Sequence, residues 1–336
     1  MGRSPATSCD ISVVIVSYNT REMTLACVES VKRHAEGLGI QVVVVDNCSS
    51  DGSSQALRSH HPDITVIDAP ANHGFAQGNV LGFRHCLGRY ILLLNPDAEI
   101  YPQTLLNAVR YMDEHKQVGV VGARVFLPDG SQQSSMIRFP NLWSSFSNIF
   151  LPVSTVRRTR LAGDTRYAGF SNESINSVDA VSGCFMLTRR SVIEQVGSLD
   201  NRFFMYGEEL EWCWRIRNAG WDIVYHPDVR ILHHGGASTR NLNSWKAVEM
   251  MRGQLLFFRL CRGKTAAYVA ALMMVARDLL RIWPLALIAI IRRNRSEDLR
   301  AVVARLLFGL KSLFRPPSGQ VVKPLIRIDG GKRSSC

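Results

Sequence analysis

None of the apolar runs in this chain reaches the roughly 20 residues needed to cross a bilayer. The longest candidates, Ala266 to Ala276 and Ile282 to Ile291, are split by Arg277, Asp278 and Arg281. The eight cysteines (9, 27, 48, 86, 184, 213, 261 and 336) contain no C-x-x-C pair. That excludes a zinc ribbon or a disulfide scaffold and reads as free thiols in a reducing compartment. Met1 to Asp10 is short and polar, so no signal peptide is expected and a cytoplasmic location follows. The four residues after the first apolar run, Ser17-Tyr18-Asn19-Thr20, hold no glycine. A nicotinamide-dinucleotide site would need G-x-G-x-x-G there, and a sugar nucleotidyltransferase would need a glycine-rich basic loop for which Arg21 stands alone. Acids are scarce at the C-terminal end, where the residues from Arg252 onward carry 17 Lys and Arg against 4 Asp and Glu. That segment is near +13 and the preceding 251 residues near −1, so the basicity of the 336-residue chain belongs to its tail.

What is present is alternation. Ile11 to Val16, Val42 to Val45, Thr65 to Ile67 and Tyr90 to Leu94 are short apolar runs. The stretches between them place Leu25, Val28 and Val31, then Val80, Phe83 and Leu87, at helical spacing. Strands alternating with helices predict an α/β, doubly wound half-domain over the first 115 residues. Two of these strands end in acids: Asp46 follows four valines, and Asp97 follows Leu94 across Asn95 and Pro96. Acids at the carboxyl ends of buried parallel strands mark the edge where ligands bind in such sheets. Asp46 also reads as an ordinary turn or cap residue, since Asn47, Ser49, Ser50, Asp51, Gly52 and Ser53 follow it. Pro96 ends its ladder and leaves Asp97 at the tip, and Ile100, Tyr101 and Pro102 lead into an expected helix with Leu105, Leu106, Val109 and Met112 on one face. The predicted organisation is a 1–243 domain, with halves 10–115 and 116–243, followed by a basic, partly apolar helical region 244–336. Ser134 to Ser177 reads as a long irregular stretch facing an acceptor, and Val178 to Thr188 as a strand interrupted by Gly183.

A second acidic cluster, Glu208, Glu209 and Glu211, opens a helix that stops at Gly220. Two acidic clusters far apart in sequence suit a reaction needing a divalent cation and a base. Transfer from a nucleotide sugar is one: Mg²⁺ or Mn²⁺ neutralises the leaving diphosphate, and a carboxylate takes the proton of the attacking hydroxyl. Asp97 fits the first role and Glu209 the second. His233, continuing the alternation of Val229 and Ile231, is either a structural imidazole or a second metal ligand.

The runs Val13 to Asn19 and Val45 to Ser53, the turn Asn72-x-Gly74-Phe75-x-x-Gly78-Asn79, and Leu94-Asn95-Pro96-Asp97 resemble glycosyltransferase family 2, closest to its bacterial rhamnosyltransferase-like branch. Phe203-Phe204-Met205-Tyr206-x-Glu208-Glu209, Trp214-Arg215 and His233-x-Gly235-Gly236-x-Ser238 extend the similarity to about residue 240. The resemblance implies a GT-A type, Rossmann-like nucleotide-sugar-binding domain with a mixed central sheet and inverting transfer. It implies nucleotide contacts from Ser17, Tyr18, Asn19, Asp46, Asn47, Asn79, Asn95 and Asp97, and a metal held by Asp97 and His233. Glu209 and Glu208 would be catalytic, and Gly183, Trp214 and Arg215 would face the acceptor. The family's acid pair is usually Glu-Asp, so Glu208-Glu209 is a departure whose extra methylene moves the carboxylate by about 1 Å, and misplacement of that order can cost about 10²-fold.

The acidic sheet edge argues against nucleic acid as a partner. The donor would be a dTDP, UDP or GDP sugar, and the acceptor a glycan carried on a polyprenyl lipid, with transfer to a polyprenyl phosphate as the other chemistry. The basic tail reads either as interfacial helices on anionic lipid, with Trp283, Arg292, Arg293 and Arg295 at headgroup level, or as a helical appendage packed on the core. A non-catalytic nucleotide-sugar-binding scaffold, motivated by the Glu-Glu departure, is the alternative to an enzyme.

Overall fold

Strands that are apolar on both faces need a sheet covered on both sides. β1 (Ile11–Ser17) is buried at every position and β2 (Ile40–Asp46) at its last five in the computed structural model, which describes residues 9–35, 37–150, 171–235, 243–292, 296–315 and 317. β3 (Thr65–Asp68) and β4 (Tyr90–Leu94) join them in the parallel order β3-β2-β1-β4. The crossovers are α1 (Arg21–Arg33), α2 (Ser53–His60) and α3 (Gly74–Phe83). α3 lies close on β1 through its glycines: a Cβ on Gly78 would stand 2.6 Å from Val16 Cγ1. Gly78→Ala is therefore expected to destabilise by about 1–3 kcal/mol, as overpacking typically does. A fall in the urea midpoint at unchanged slope would register it, and an unchanged midpoint would show that the sheet can yield there.

Beyond β4 the sheet turns mixed. β5 (Ala98–Ile100), β6 (Val118–Phe126), β11 (Phe185–Arg189) and β12 (Asp222–His233) complete the order β3-β2-β1-β4-β11-β6-β12-β5. β12 is parallel to β6, whereas β11 and β5 are antiparallel to their neighbours. The short strands β7 (Gln132–Gln133) and β9 (Asn176–Ser177) flank the sheet, and β8 (Met136–Ile137) pairs with β10 (Ala180–Val181). α4 (Thr104–Glu114) packs Leu105, Ala108, Val109 and Met112 into the core. The expected strand, acid, helix order at Asp97 is corrected here, because β5 intervenes before α4. Its three residues are too few to show a period, and their partner strand comes far later in the chain. The stretch from Ser134 to Ser177 likewise contains β8, α5 (Leu142–Phe150) and β9 among its described residues.

The chain divides into two compact units. The first is Met1–Ile137, Ser171–Leu199 and Trp212–Ser238 and contains the sheet. The second is Arg138–Phe170, Asp200–Glu211 and Thr239–Cys336, so the units interleave in sequence where continuous 1–243 and 244–336 segments were expected. α6 (Arg190–Val196) belongs to the first unit, and α7 (Glu208–Asn218) has its first four residues in the second.

In the second unit, α8 (Asn243–Phe257), a π-helical turn (Phe258–Arg262), α9 (Lys264–Arg292) and α10 (Ser296–Phe314) build their own core. Met251, Leu255, Phe258, Ala267, Ala270, Ala271 and Met274 meet there, with Leu142, Phe308 and Leu313 against them. α9 joins the two apolar stretches expected as separate interfacial helices into one 29-residue helix. Asp278, which divides them, is fully buried and bonded by Arg277 at 3.0 Å and Arg305 at 3.1 Å. A buried charge of this kind is retained only with its partners, so this part of the tail is packed structure. Arg293 and Arg295 lie outside the described residues, as do the side chains of Trp283 and Arg292. Among the described residues no helix is long and apolar enough to cross a membrane.

Candidate active site

Parallel strands carry their C-terminal residues to one edge. The register sets Ser17 opposite Asp46 and Asp46 opposite Asp68, while β4 delivers Asn95 and Asp97 to the same edge. Loops after β1 and β2 are laced together there. Asn19 N–H donates to Ser49 Oγ at 2.9 Å, Ser50 N–H to Asn19 Oδ1 at 2.8 Å, and Arg21 N–H to Asp51 Oδ2 at 2.9 Å. Asn19 and Cys48 sit at positive φ, 52° and 66°, a conformation that surroundings must impose on residues other than glycine. Asp46 is both the turn residue and a candidate binder. Its Oδ2 accepts from Ser49 N–H at 3.2 Å, while Oδ1 is buried with no hydrogen-bond partner. Burial pushes the Asp46 carboxyl above the usual range, against the lowering effect of Ser49, so the site favours a ligand that donates to it.

Asp97 lies in the turn between β4 and β5, and the pairing of Ala98 with His233 brings β12 beside it. His233 Nε2 stands 3.3 Å from Asp97 Oδ1 and 3.2 Å from Asn95 Nδ2, and its Nδ1 is 2.9 Å from Gln133 Oε1. Gln133 Oε1 can only accept and Asn95 Nδ2 can only donate. Gln133 therefore favours the tautomer with hydrogen on Nδ1, which turns Nε2 toward Asn95 Nδ2 and the Asp97 carboxylate. A carboxylate and an imidazole nitrogen side by side, with the Gln133 amide orienting the ring, are a donor set that a divalent cation can use. Among the described residues no group of three or more His, Cys, Asp or Glu could hold an ion unaided. Asp97 and His233 fit a metal that takes its remaining ligands from a diphosphate and water, as Mg²⁺ and Mn²⁺ sites commonly do. Burial raises the Cys27 thiol and pushes Cys184 up to about 11, keeping both neighbouring thiols protonated and out of such a set.

The second acidic cluster belongs to the second unit. Tyr206 and Gly207, at φ 69° and 98°, turn the chain into α7, and Gly207 N–H donates to Glu209 Oε2 at 3.0 Å. Burial raises the pKa of Glu208 well above the usual carboxylate range, with the charges of Glu209 and Glu249 adding to it. Glu209 is raised by burial, against its backbone hydrogen bonds. Raised folded pKa values mean that the folded chain keeps protons the unfolded chain would release above about pH 4.3. Stability should therefore fall as pH rises from that value through the raised ones. Glu208→Gln is expected to lift the thermal midpoint at pH 7 and flatten its dependence between pH 5.5 and 8. A midpoint at pH 7 lower than that of the parent would contradict a buried charge held at a cost.

Other residues expected at the site have their side chains engaged elsewhere. Ser17 Oγ bonds Thr24 at 2.9 Å, and Asn47 bonds Gly74 O at 3.0 Å and His73 N–H at 3.2 Å, fixing the turn before α3. Asn79 donates to Phe75 O at 2.9 Å and leaves Oδ1 buried without a partner. Tyr18 is half-buried behind β1, and Trp214 half-buried on α7. Arg215 donates to Val196 O at 2.5 Å and Ser198 O at 2.8 Å, closing the end of α6. Gly183 lies in the turn between β10 and β11. Gly236 and Ser238 lie outside the described residues. Two further residues stand at this edge. Gln133 carries no local signal, since only the β6–β7 pairing brings it in. Glu99, bonded to His234 at 3.1 Å, was legible as an acid two residues after Asp97 on a strand.

A mixed α/β sheet with acids along the carboxyl edge of its parallel strands has the architecture of the GT-A fold. The sequence profile of Glycosyl transferase family 2 matches residues 12–197, and the chain belongs to that family. It is 28% identical over 219 residues to the N-acetylglucosaminyl-diphospho-decaprenol L-rhamnosyltransferase of Mycobacterium tuberculosis, covering 60% of this chain and 68% of that one. It is 25% identical over 243 residues to the rhamnosyltransferase WbbL of Escherichia coli, covering 70% and 87%. Among solved structures, the mannosyltransferase PcManGT from Pyrobaculum calidifontis, in complex with GDP-Man and Mn²⁺, shares the fold with a TM-score of 0.54 at 17% identity, over 93% of this chain and 89% of that one.

Proposed function

We propose that this family 2 glycosyltransferase is inverting and metal-dependent, and moves a sugar, L-rhamnose first among candidates, from a dTDP, UDP or GDP carrier to a hydroxyl of a polyprenyl-linked glycan. The observation that carries this reading is the pairing of His233 Nε2 with Asp97 Oδ1 at 3.3 Å, with the ring oriented by Gln133 Oε1 at 2.9 Å from Nδ1. Asp97 and His233 would hold Mg²⁺ or Mn²⁺, which when bound neutralises charge on the departing diphosphate. Asp46 offers its unpartnered Oδ1 to a donor group of the nucleotide. Glu209 takes the proton of the acceptor hydroxyl as its oxygen bonds to the anomeric carbon and the bond from that carbon to the diphosphate oxygen breaks. The raised pKa of Glu209 suits a base working near neutral pH, and activity should fall as acid protonates it. A panel of dTDP, UDP and GDP sugars with a polyprenyl-diphosphate-linked amino sugar tests the reading: nucleoside diphosphate release with one donor supports it. Binding without release from any donor favours the scaffold, to which the Glu208-Glu209 departure would then belong.

Such an acceptor is membrane-bound, and α10 offers a surface for it. Val303, Leu307, Leu310 and Phe314 recur on one helical face and are 37%, 62%, 40% and 86% exposed. Exposed Arg300, Lys311 and Arg315 accompany them. Apolar stripes with basic flanks bind anionic lipid at the interface, here on the inner membrane face. The doubly substituted protein with Leu307→Glu and Phe314→Glu should lose flotation on vesicles of anionic lipid while keeping nucleotide binding. Equal flotation of the variant and its parent would remove α10 from that role.

A further inference from the structure

The turn that delivers Glu209 is held by one face of α8. Trp245 meets Phe204 ring to ring at 5.7 Å, and Lys246 Nζ lies 6.0 Å from the Tyr206 ring. One and two turns further along, Glu249 and Arg252 form an ion pair at 3.2 Å, and they are only 0% and 2% exposed. Arg252 Nη2 donates to Arg202 O at 3.0 Å, at the start of the segment that ends in the acids. At Gly253 the two backbones touch: a Cβ there would overlap Tyr206 O and stand 2.9 Å from Tyr206 C. From the other side, a Cβ on Gly207 would lie 3.2 Å from Gly253 C and O.

These contacts converge on a strained element. Tyr206 at φ 69° is a bulky residue in the left-handed region, a strained conformation that persists only where neighbours impose it. The amide that follows, Gly207 N–H, bonds the carboxylate of Glu209. Glu249 Oε1 and Glu208 Oε2 are both buried without hydrogen-bond partners, so the ion pair also places a carboxylate close enough to act on the acid pair electrostatically. A buried ion pair is a poor source of stability compared with apolar residues of similar volume, so its retention has to be explained by what it orients.

We propose that Glu249, Arg252 and Gly253 form a template on α8 that fixes the Arg202 to Gly207 segment and so aims the base. Arg252 is a positioning residue in this arrangement, acting through the Arg202 carbonyl and the Tyr206-Gly207 turn. This rests on the reading of Glu209 as base, but its structural half, that α8 holds the turn, does not.

The test uses the full chain with the pair removed as a unit, Glu249→Gln with Arg252→Met, so that no buried charge is orphaned, and separately Arg252→Lys. Two readouts are taken on protein whose thermal unfolding remains cooperative. Amide hydrogen exchange over residues 203–209 should rise at least tenfold in the double variant, with exchange in β1 and β2 unchanged. Turnover should fall by about 10²-fold, the cost of roughly 1 Å of misplacement. The KM for donor should stay within twofold, and Arg252→Lys should recover part of the loss. Unchanged exchange at 203–209 overturns the template whatever the enzyme does. Raised exchange with unchanged turnover, in an active parent, overturns the aiming of the base. If the parent itself turns over no donor, the transferase reading has failed, and the exchange result alone decides whether α8 holds the turn.

Discussion

Glu209→Gln is expected to lower turnover by about 10²- to 10⁴-fold, the usual worth of a general base, while leaving nucleotide affinity within twofold. The substitution keeps the length of the side chain, and the amide oxygen can still accept from Gly207 N–H as Glu209 Oε2 does at 3.0 Å. What it removes is the ability to take a proton. Because burial raises the pKa of Glu209, the parent's kcat/KM should decline with falling pH at a value above the ordinary carboxylate range. In the residual activity of the glutamine variant that acid limb should vanish. Undiminished turnover would move the base elsewhere and leave the conformation of the Tyr206-Gly207 turn without a catalytic explanation.

Asp97→Ala is expected to lower turnover by about 10²- to 10³-fold, since a metal supplies several kcal/mol to a developing diphosphate and each 1.4 kcal/mol is tenfold. The residual rate should no longer respond to Mn²⁺ concentration. Removing the carboxylate leaves His233 Nε2 facing Asn95 Nδ2 at 3.2 Å, which can satisfy the imidazole without an ion. The fold should thus survive the change, with the cost falling on chemistry rather than on stability. Retention of an Mn²⁺ response in Asp97→Ala would place the cation on other ligands, Glu99 and His234 being the next acid and imidazole along the same strand pair.

The parallel half of the sheet was legible because its strands are buried on both faces. Val42 to Val45 and Ile91 to Leu94 leave no other reading than interior strands, and parallel pairing follows from the helices between them. His233 was legible for a related reason: Val229, Ile231 and His233 alternate inward on β12. β5 was not, because a three-residue strand has no period and its partner lies far along the chain. Nor was the continuity of α9, where charges at 277, 278 and 281 read as a boundary until Arg305 supplied a partner for Asp278. Asn47 and Arg215 illustrate the limit of motif reading. Their residue types suit ligand contacts, yet their side chains also bond the backbone of the turn before α3 and the end of α6. Recurrence of a polar residue within a motif does not separate contact with a ligand from support of the loop that makes it.

The most direct measurement is calorimetric titration of the whole chain with dTDP, UDP and GDP, each in Mn²⁺ and in EDTA. The account predicts that one nucleotide binds with micromolar affinity in Mn²⁺ and at least tenfold more weakly in EDTA. Equal affinity in Mn²⁺ and EDTA would contradict a metal held by Asp97 and His233, and no binding of any of the three would contradict a nucleotide-sugar site at this sheet edge.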